Sequence, residues 1–522
     1  MCMICYNEKD SISLGCEDVS MSFSFSRSDV RRAWLCTAVF FFLAHGFRFL
    51  APNFSDDTLL IAQTGNTDWQ ISLGRFMQPA YWLIRGDIPV PSVVGFLAYF
   101  FLACAICVVC SLLGLTGRSS LLLCAALTGN ATFAIANSSY LSWTDVYMLS
   151  FLCCALCVYV TAKYRFGFLG GALILFAGLG LYQSYLETAI VLFLLVLIRM
   201  TLEKQALRDV LVFGLKALFV LLAGLLLYAA VYFLSLRLTG IQAQSAYNGL
   251  ASVGQYDDWG SMLRLLGETF LYPFLYLFQP ESHLPHVVGA LYLFLLAVSL
   301  FELVRAARRR CVGTPPRFIF LLIFALLLPL GLNAVYFISK GITYALTFYA
   351  FFLMAALPLM LLNYGEAKPC LRHAVLLAFA VIYGCSFVFS AQLYTLRELE
   401  FRSTLSLMTR VLNRVELTDG YVPGETPVVL AGNLYNSPLS FKRPGFESTF
   451  THTTYALTYE SYYPPYLHQI LGCRVALPDE AERERFANRA DVRAMPVFPA
   501  EGSIQMLDDV LVVHLGRQAL SE

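Results

Sequence analysis

The chain has 522 residues, 58% of them hydrophobic and only 14% charged, with a formal net charge of +1. Soluble domains carry about 25% charged residues, so a soluble globular protein is excluded, and the near-neutral balance offers no field for nucleic acid. Apolar runs of roughly 17–25 residues, the length that crosses a bilayer core, recur along most of the sequence and predict an all-α polytopic membrane protein.

The first thirty residues are polar and mixed in charge and lack the apolar core of a signal peptide. Residues 1–32 are predicted as a cytoplasmic N-terminal segment, and the first span, after Arg31 and Arg32, serves as the insertion signal. Spans are predicted at 33–50, 91–113, 119–138, 145–162, 167–183, 185–200, 210–235, 284–304, 317–337, 342–363 and 371–390, about eleven in all. Loops on one side carry Arg118, Lys163, Arg199, Lys204, the run Arg308, Arg309 and Arg310, and Lys368. The alternate loops before the last span carry only Arg75, Arg85, Arg237, Arg264 and Lys340. The positive-inside rule makes the first set cytoplasmic. The N-terminus is then inside and, with an odd number of spans, the C-terminus outside.

Three outer segments are too long for turns. In 51–90, Ile71, Phe76, Ala80 and Leu83 could form one apolar face of an interfacial helix, with Trp69, Tyr81 and Trp82 at headgroup level. In 237–283, "DDWGSMLRLLGETFLYPFLYLF" reads as a second interfacial helix with Asp257 and Asp258 near its positive end. The third is the tail. There "TLRELEFRSTLSLMTRVLNRVE" has helical period, "TPVVLAG" reads as a buried strand, and "SIQMLDDVLVVHLG" as two strands around a turn at Leu507, Asp508 and Asp509. The expected organisation is therefore a transmembrane domain over 33–390 and a small extracytoplasmic α/β domain over 391–522.

Fifteen cysteines are present, most inside predicted spans. Cys104, Cys107 and Cys110 share a helix face and read as small packing residues rather than a metal or redox site. His283 and His286 have the spacing of a metal pair, with Glu281 the only acid close by in sequence. Asp56 and Asp57, just after the first span, lead the candidates for chemistry. They suit a general base or a divalent metal, or else are loop acids in a turn after Asn53. Asp145, in "YLSWTD", is either a third site carboxylate from the same side or a helix N-terminal charge. Tyr182, Gln183 and Glu187, in "LGLYQSYLETAI", line a cavity or bond to one another, because polar groups at that depth are costly otherwise. Arg75 and Lys340 each suit a phosphate or lipid headgroups. No phosphate-binding glycine loop, zinc-protease motif or nucleophile elbow is present. No ATP or nucleotide sugar is expected outside the cell, so an activated donor there has to be lipid-linked.

Taken in order, "NFSDDTLL", "SLGRF", "YLSWTD", "LGLYQSYLETAI", "LRELEFRSTLSLMTRVLNRVE" with "TPVVLAG", and "MPVFPAEGSIQMLDDVLVV" resemble the bacterial O-antigen type II glucosyltransferases, multi-span members of the GT-C superfamily. Phe76 stands where the family's Gly-Arg-Trp has tryptophan. The resemblance implies a GT-C-like fold in the bacterial inner membrane. It also implies transfer of a sugar, glucose by family, from a polyprenyl-phosphate donor to a hydroxyl of a surface glycan such as O-antigen. A catalytic acid in the first outer loop, Asp57 or Asp56, follows from the same likeness. Some relatives use a divalent metal such as Mg or Mn and others do not; Asp56 and Asp57 are the residues that would hold it. Two other readings remain open: a transporter or flippase for lipid-linked sugars, and a glycan polymerase or ligase. Large outer segments and the lack of visible inverted repeats weigh against the transporter.

Overall fold

The structure is a computed structural model. It describes residues 26–50, 67–244, 258–279, 282, 284–311, 314–343, 345–364, 366–432, 434, 437–439, 441 and 463–516. The chain begins with α1 (Arg27–Leu50), then two short helices, α2 (Thr67–Ser72) and α3 (Met77–Arg85). There follow α4 (Pro91–Leu113), α5 (Arg118–Thr128), α6 (Ala131–Ser139), α7 (Thr144–Lys163), α8 (Gly167–Leu181), α9 (Leu186–Leu202) and α10 (Leu207–Thr239). The second half holds α11 (Trp259–Tyr276), α12 (His286–Arg310), α13 (Pro315–Leu332), α14 (Ala334–Ile338), α15 (Tyr349–Phe352), α16 (Ala356–Tyr364) and α17 (Pro369–Glu416).

Nine helical stretches among the described residues are long and apolar enough to span a bilayer. A tenth is the pair α5 and α6, bent by 41° at Gly129 and Asn130. The break sits among buried residues, so its loose backbone groups need partners. Asn130 supplies them: its side chain accepts from the Phe133 N–H at 2.9 Å and donates to the carbonyls of Leu127 and Ala126 at 3.0 and 3.4 Å. At the eleventh expected place stands α8, with 15 residues, about 22 Å of helix. Its small residues seat it against α7: Ser150 donates to the Gly178 carbonyl at 2.9 Å, and the flank of Gly178 meets Cys153. The innermost spans are Gln183–Leu202 and Ala345–Tyr364, each 94% buried over its most apolar window, whereas α10 and α13 keep most of theirs on the outside.

The segments expected outside differ from expectation in one respect. The single interfacial helix expected around Ile71 to Leu83 is two, because Gly74 (φ +78°) turns the chain between α2 and α3. Leu83 and Ile84 are both 86% exposed, while Tyr81 and Trp82 are buried. The second expected helix is α11. Asp258 caps it, accepting from the Ser261 N–H at 2.6 Å while the Ser261 side chain returns a bond to the cap. Those bonds hold the Asp258 carboxyl below its ordinary range. Asp257 lies outside the described residues.

No break separates the last span from the tail, because α17 is one helix of 48 residues running through position 390, about 72 Å long. Beyond it lie β1 (Val428–Ala431), α18 (Tyr463–Pro465), α19 (Glu480–Ala487), α20 (Ala490–Ala494), β2 (Ile504–Leu507) and β3 (Val510–His514). The sheet order is β1-β3-β2, with β1 parallel to β3 and β2 antiparallel to it. The expected hairpin turn at Asp508 and Asp509 is present, both residues at positive φ. Alternate residues serve opposite faces. Val428, Leu430, Leu511 and Val513 pack with Leu407, Met408, Val411 and Val415 of α17. Val429, Ala431, Val510 and Val512 pack with Phe486, Val492 and Met495 from α19 and the end of α20.

Candidate functional site

Several polar chain segments meet at one end of the bundle, and residues 137–145 are their hub. This stretch ends α6, turns through Leu141–Trp143 and starts α7. Asp145, in the first turn of α7, is fully buried. Its carboxylate accepts from Tyr81 Oη at 2.8 Å, from Arg85 Nη1 at 3.0 and 3.1 Å, and from the Val146 N–H at 2.9 Å. Arg85 also donates to the Ser142 carbonyl at 2.8 Å. Tyr81 and Arg85 are four residues apart on α3, so they share the face that looks inward. Trp82 rests on Trp143, ring centroids 5.4 Å apart, and Leu83 and Ile84 point away. Burial, and then the Asp145 charge, push the Tyr81 hydroxyl well above its ordinary range and keep it a donor.

Of the residues singled out in the sequence, Arg75, Tyr182 and Gln183 are brought together. The Arg75 guanidinium lies 5.0 Å from the centre of the Tyr182 ring, and Tyr182 packs on Tyr147 of α7 at 4.6 Å. Gln183 donates to the Leu73 carbonyl at 2.6 Å and to Tyr228 Oη at 2.8 Å. Gln78 donates to the Leu181 carbonyl at 2.8 Å. Phe76 stacks on Tyr228 at 5.6 Å. Glu187 is buried and accepts from the Val335 N–H at 2.7 Å, in the first turn of α14. Lys340 closes the other end of α14 with φ +53°, ahead of Gly341 at φ +87°. Asp56 and Asp57 lie outside the described residues, as do Glu281 and His283. Among the described residues no group of three or more His, Cys, Asp or Glu side chains converges on a metal position.

Sequence reasoning missed a second cluster where α1, the end of α6 and α17 meet. Arg48 is completely buried and donates through Nε to the Asn137 carbonyl at 2.9 Å and through Nη2 to the Ser138 carbonyl at 3.2 Å. These are the last carbonyls of α6, where the helix dipole favours a cation. Arg397 of α17 donates to Glu400 Oε2 at 2.9 Å and to Ser139 Oγ at 2.7 Å. His45 places Nε2 at 2.8 Å from the Thr128 carbonyl, which can only accept. In the neutral ring that nitrogen carries the proton, so Nδ1 accepts from Tyr394 Oη at 2.6 Å. The available signal was an arginine and a histidine inside the last six residues of an apolar run.

A helical membrane bundle with buried charged and aromatic groups gathered at one end is the build of a polytopic membrane protein with a polar site among its helix ends. The family model described as Glucosyl transferase GtrII matches residues 46–389, and the chain belongs to that family. Membership makes it a membrane glycosyltransferase, working between a sugar donor and an acceptor. No curated protein and no solved structure matches the chain.

Proposed function

We propose that the protein moves glucose from a polyprenyl-phosphate donor to a hydroxyl of a surface glycan such as O-antigen, on the extracytoplasmic face of a bacterial inner membrane. The observation that carries this reading is that hydrogen bonds tie four chain regions together at one end of the bundle. Arg48 reaches the end of α6, Arg397 the same place, Arg85 the start of α7, and Glu187 the start of α14. The opposite end is basic and bonded differently: Arg199 donates to the last carbonyls of α4 at 2.6 and 3.2 Å, and Arg317 to the Gln205 carbonyl at 2.6 Å. The positive-inside rule supports assigning that basic end to the cytoplasm. The polar end then faces outward, where a lipid-linked sugar is the available activated donor. The tail beyond α17 lies outside as well and serves acceptor docking.

In this scheme the first outer loop leaves two residues after Arg48 and carries Asp56 and Asp57. Asp57 takes the proton of the acceptor hydroxyl as its oxygen bonds to C1 of the glucose. The bond from C1 to the phosphate oxygen breaks, and polyprenyl phosphate leaves with that electron pair. A positioned carboxylate contributes about 10²- to 10⁴-fold to such a step. Asp56 orients the acceptor or shares a divalent metal with Asp57, and Arg75 lies beside the donor over Tyr182. Asp145 has its acceptor positions taken by Tyr81, Arg85 and Val146, which suits holding α3 in place better than proton transfer. Deleting the gene and determining the surface glycan tests the reading. Loss of one side-branch glucose supports it; loss of the whole polymer favours a ligase or flippase instead.

A further inference from the structure

Two buried side chains keep polar atoms without hydrogen-bond partners in the region where α1, the end of α6 and α17 meet. Asn137 is completely buried, and neither its amide nitrogen nor its amide oxygen is bonded, although the Tyr394 hydroxyl lies near. Arg397, 4% exposed, leaves Nε unbonded while its outer nitrogens hold Glu400 and Ser139. Buried donors without acceptors are rare in folded proteins. The Arg48 and Arg397 guanidiniums are also close enough for their like charges to act on each other. Glu400 balances Arg397; Glu398 acts on Arg48 but is itself held by Arg402 at 2.8 Å. Beside Arg48, Leu43, Phe47 and Leu50 are 61%, 62% and 79% exposed, and their spacing puts them along one face of α1 that looks out to lipid.

We propose that Arg397, Arg48, Ser139 and the Asn137 amide form the subsite for the phosphate of a polyprenyl-phosphate lipid, with its isoprenoid tail along the Leu43, Phe47 and Leu50 face of α1. This rests on the functional reading above and assigns a place to its leaving group. Guanidinium Nε–H, amide N–H and hydroxyl are the donors a phosphate uses. The adjoining apolar face selects a phosphate that brings a hydrocarbon tail over inorganic phosphate. All four side chains are covered, so the headgroup reaches them when the seam between α1 and α17 parts.

The test uses the full chain in nanodiscs of neutral lipid, with sugar-free polyprenyl phosphate and inorganic phosphate as probes. Asn137→Asp keeps the shape and adds a repelling charge; Arg397→Lys keeps the charge and removes Nε–H. The expected result is that wild type binds the lipid phosphate and each variant binds it at least ~10-fold more weakly, the loss expected for a charged hydrogen bond. Inorganic phosphate is expected to compete only weakly. In wild type alone, hydrogen exchange over residues 130–145 should slow when the lipid phosphate is added, which requires no variant. Unchanged binding in both variants, or no exchange protection in wild type that binds, overturns the subsite. Equal affinity for inorganic phosphate overturns the lipid assignment. If wild type transfers glucose while the variants bind normally, only the subsite fails. If wild type neither binds the lipid nor transfers, the functional reading fails and takes the subsite with it.

Discussion

Replacing Arg85 by methionine leaves the Asp145 carboxylate buried with only Tyr81 and a backbone N–H to hold its charge. The pair is almost sealed, with the two side chains 2% and 0% exposed. Breaking a buried pair by removing one partner costs about 3–5 kcal/mol. Asp145→Leu strands the guanidinium in the same way and is expected to cost a similar amount. The double variant Arg85→Met with Asp145→Leu removes both charges together. It leaves Tyr81 Oη and the Ser142 carbonyl short of a partner, at about 1–3 kcal/mol. The single costs sum to about 6–10 kcal/mol, so the double variant should recover at least ~3 kcal/mol of that sum. Reversible unfolding of the four proteins in mixed micelles measures the cycle. Costs that add to within about 0.5 kcal/mol would mean the two residues do not interact, and the account of how α3 is fixed would be wrong.

Gly74→Ala should lower transfer and loosen the turn between α2 and α3, because φ is +78° there and a Cβ would overlap the Tyr228 hydroxyl; tryptophan emission and a transfer assay read both, and a normal rate counts against that turn as a support of the site. Asp509→Gly should stabilise the tail by up to about 1 kcal/mol, since relieving a left-handed residue gains about 1–2 kcal/mol against glycine's extra chain entropy of about 0.5–1 kcal/mol, and Asp509 has φ +63°; an unchanged denaturation midpoint would contradict the turn. A phosphatase fused after Glu522 should be active outside the cytoplasm, and activity confined to a cytoplasmic reporter would reverse the orientation drawn from the basic loops.

The spans were legible because hydrophobic length and loop charge are local properties. Among the described residues nine appear as helical stretches of spanning length. The bend between α5 and α6 and the shortness of α8 were not legible: Asn130 caps α6 from inside an apolar stretch that reads as one span, and the glycines of α8 act by close packing on α7. In the tail, "TPVVLAG" and the Asp508-Asp509 turn were readable from period 2 and turn chemistry, and both elements are present. The helix "TLRELEFRSTLSLMTRVLNRVE" was readable too, but not that it continues the last span unbroken. That continuity is what brings Arg397 and Tyr394 into the bundle end. Tyr182, Gln183, Glu187 and Asp145 stood out as polar residues in apolar surroundings. Arg85 did not, because in sequence it is one loop cation among several, and only the helical turn that pairs it with Tyr81 aims it at Asp145. Arg48 and His45 were hidden inside a run that scores as a span.

The central claim is that this chain transfers glucose from a lipid-linked donor with a first-loop carboxylate as base. Purified protein in liposomes, supplied with polyprenyl-phosphate glucose labelled in the sugar and with isolated O-antigen lacking the branch, measures it directly. Wild type should label the glycan, and folded Asp57→Asn should do so about 10²- to 10⁴-fold more slowly. No label from wild type, or equal rates for wild type, Asp57→Asn and Asp56→Asn, would contradict the account.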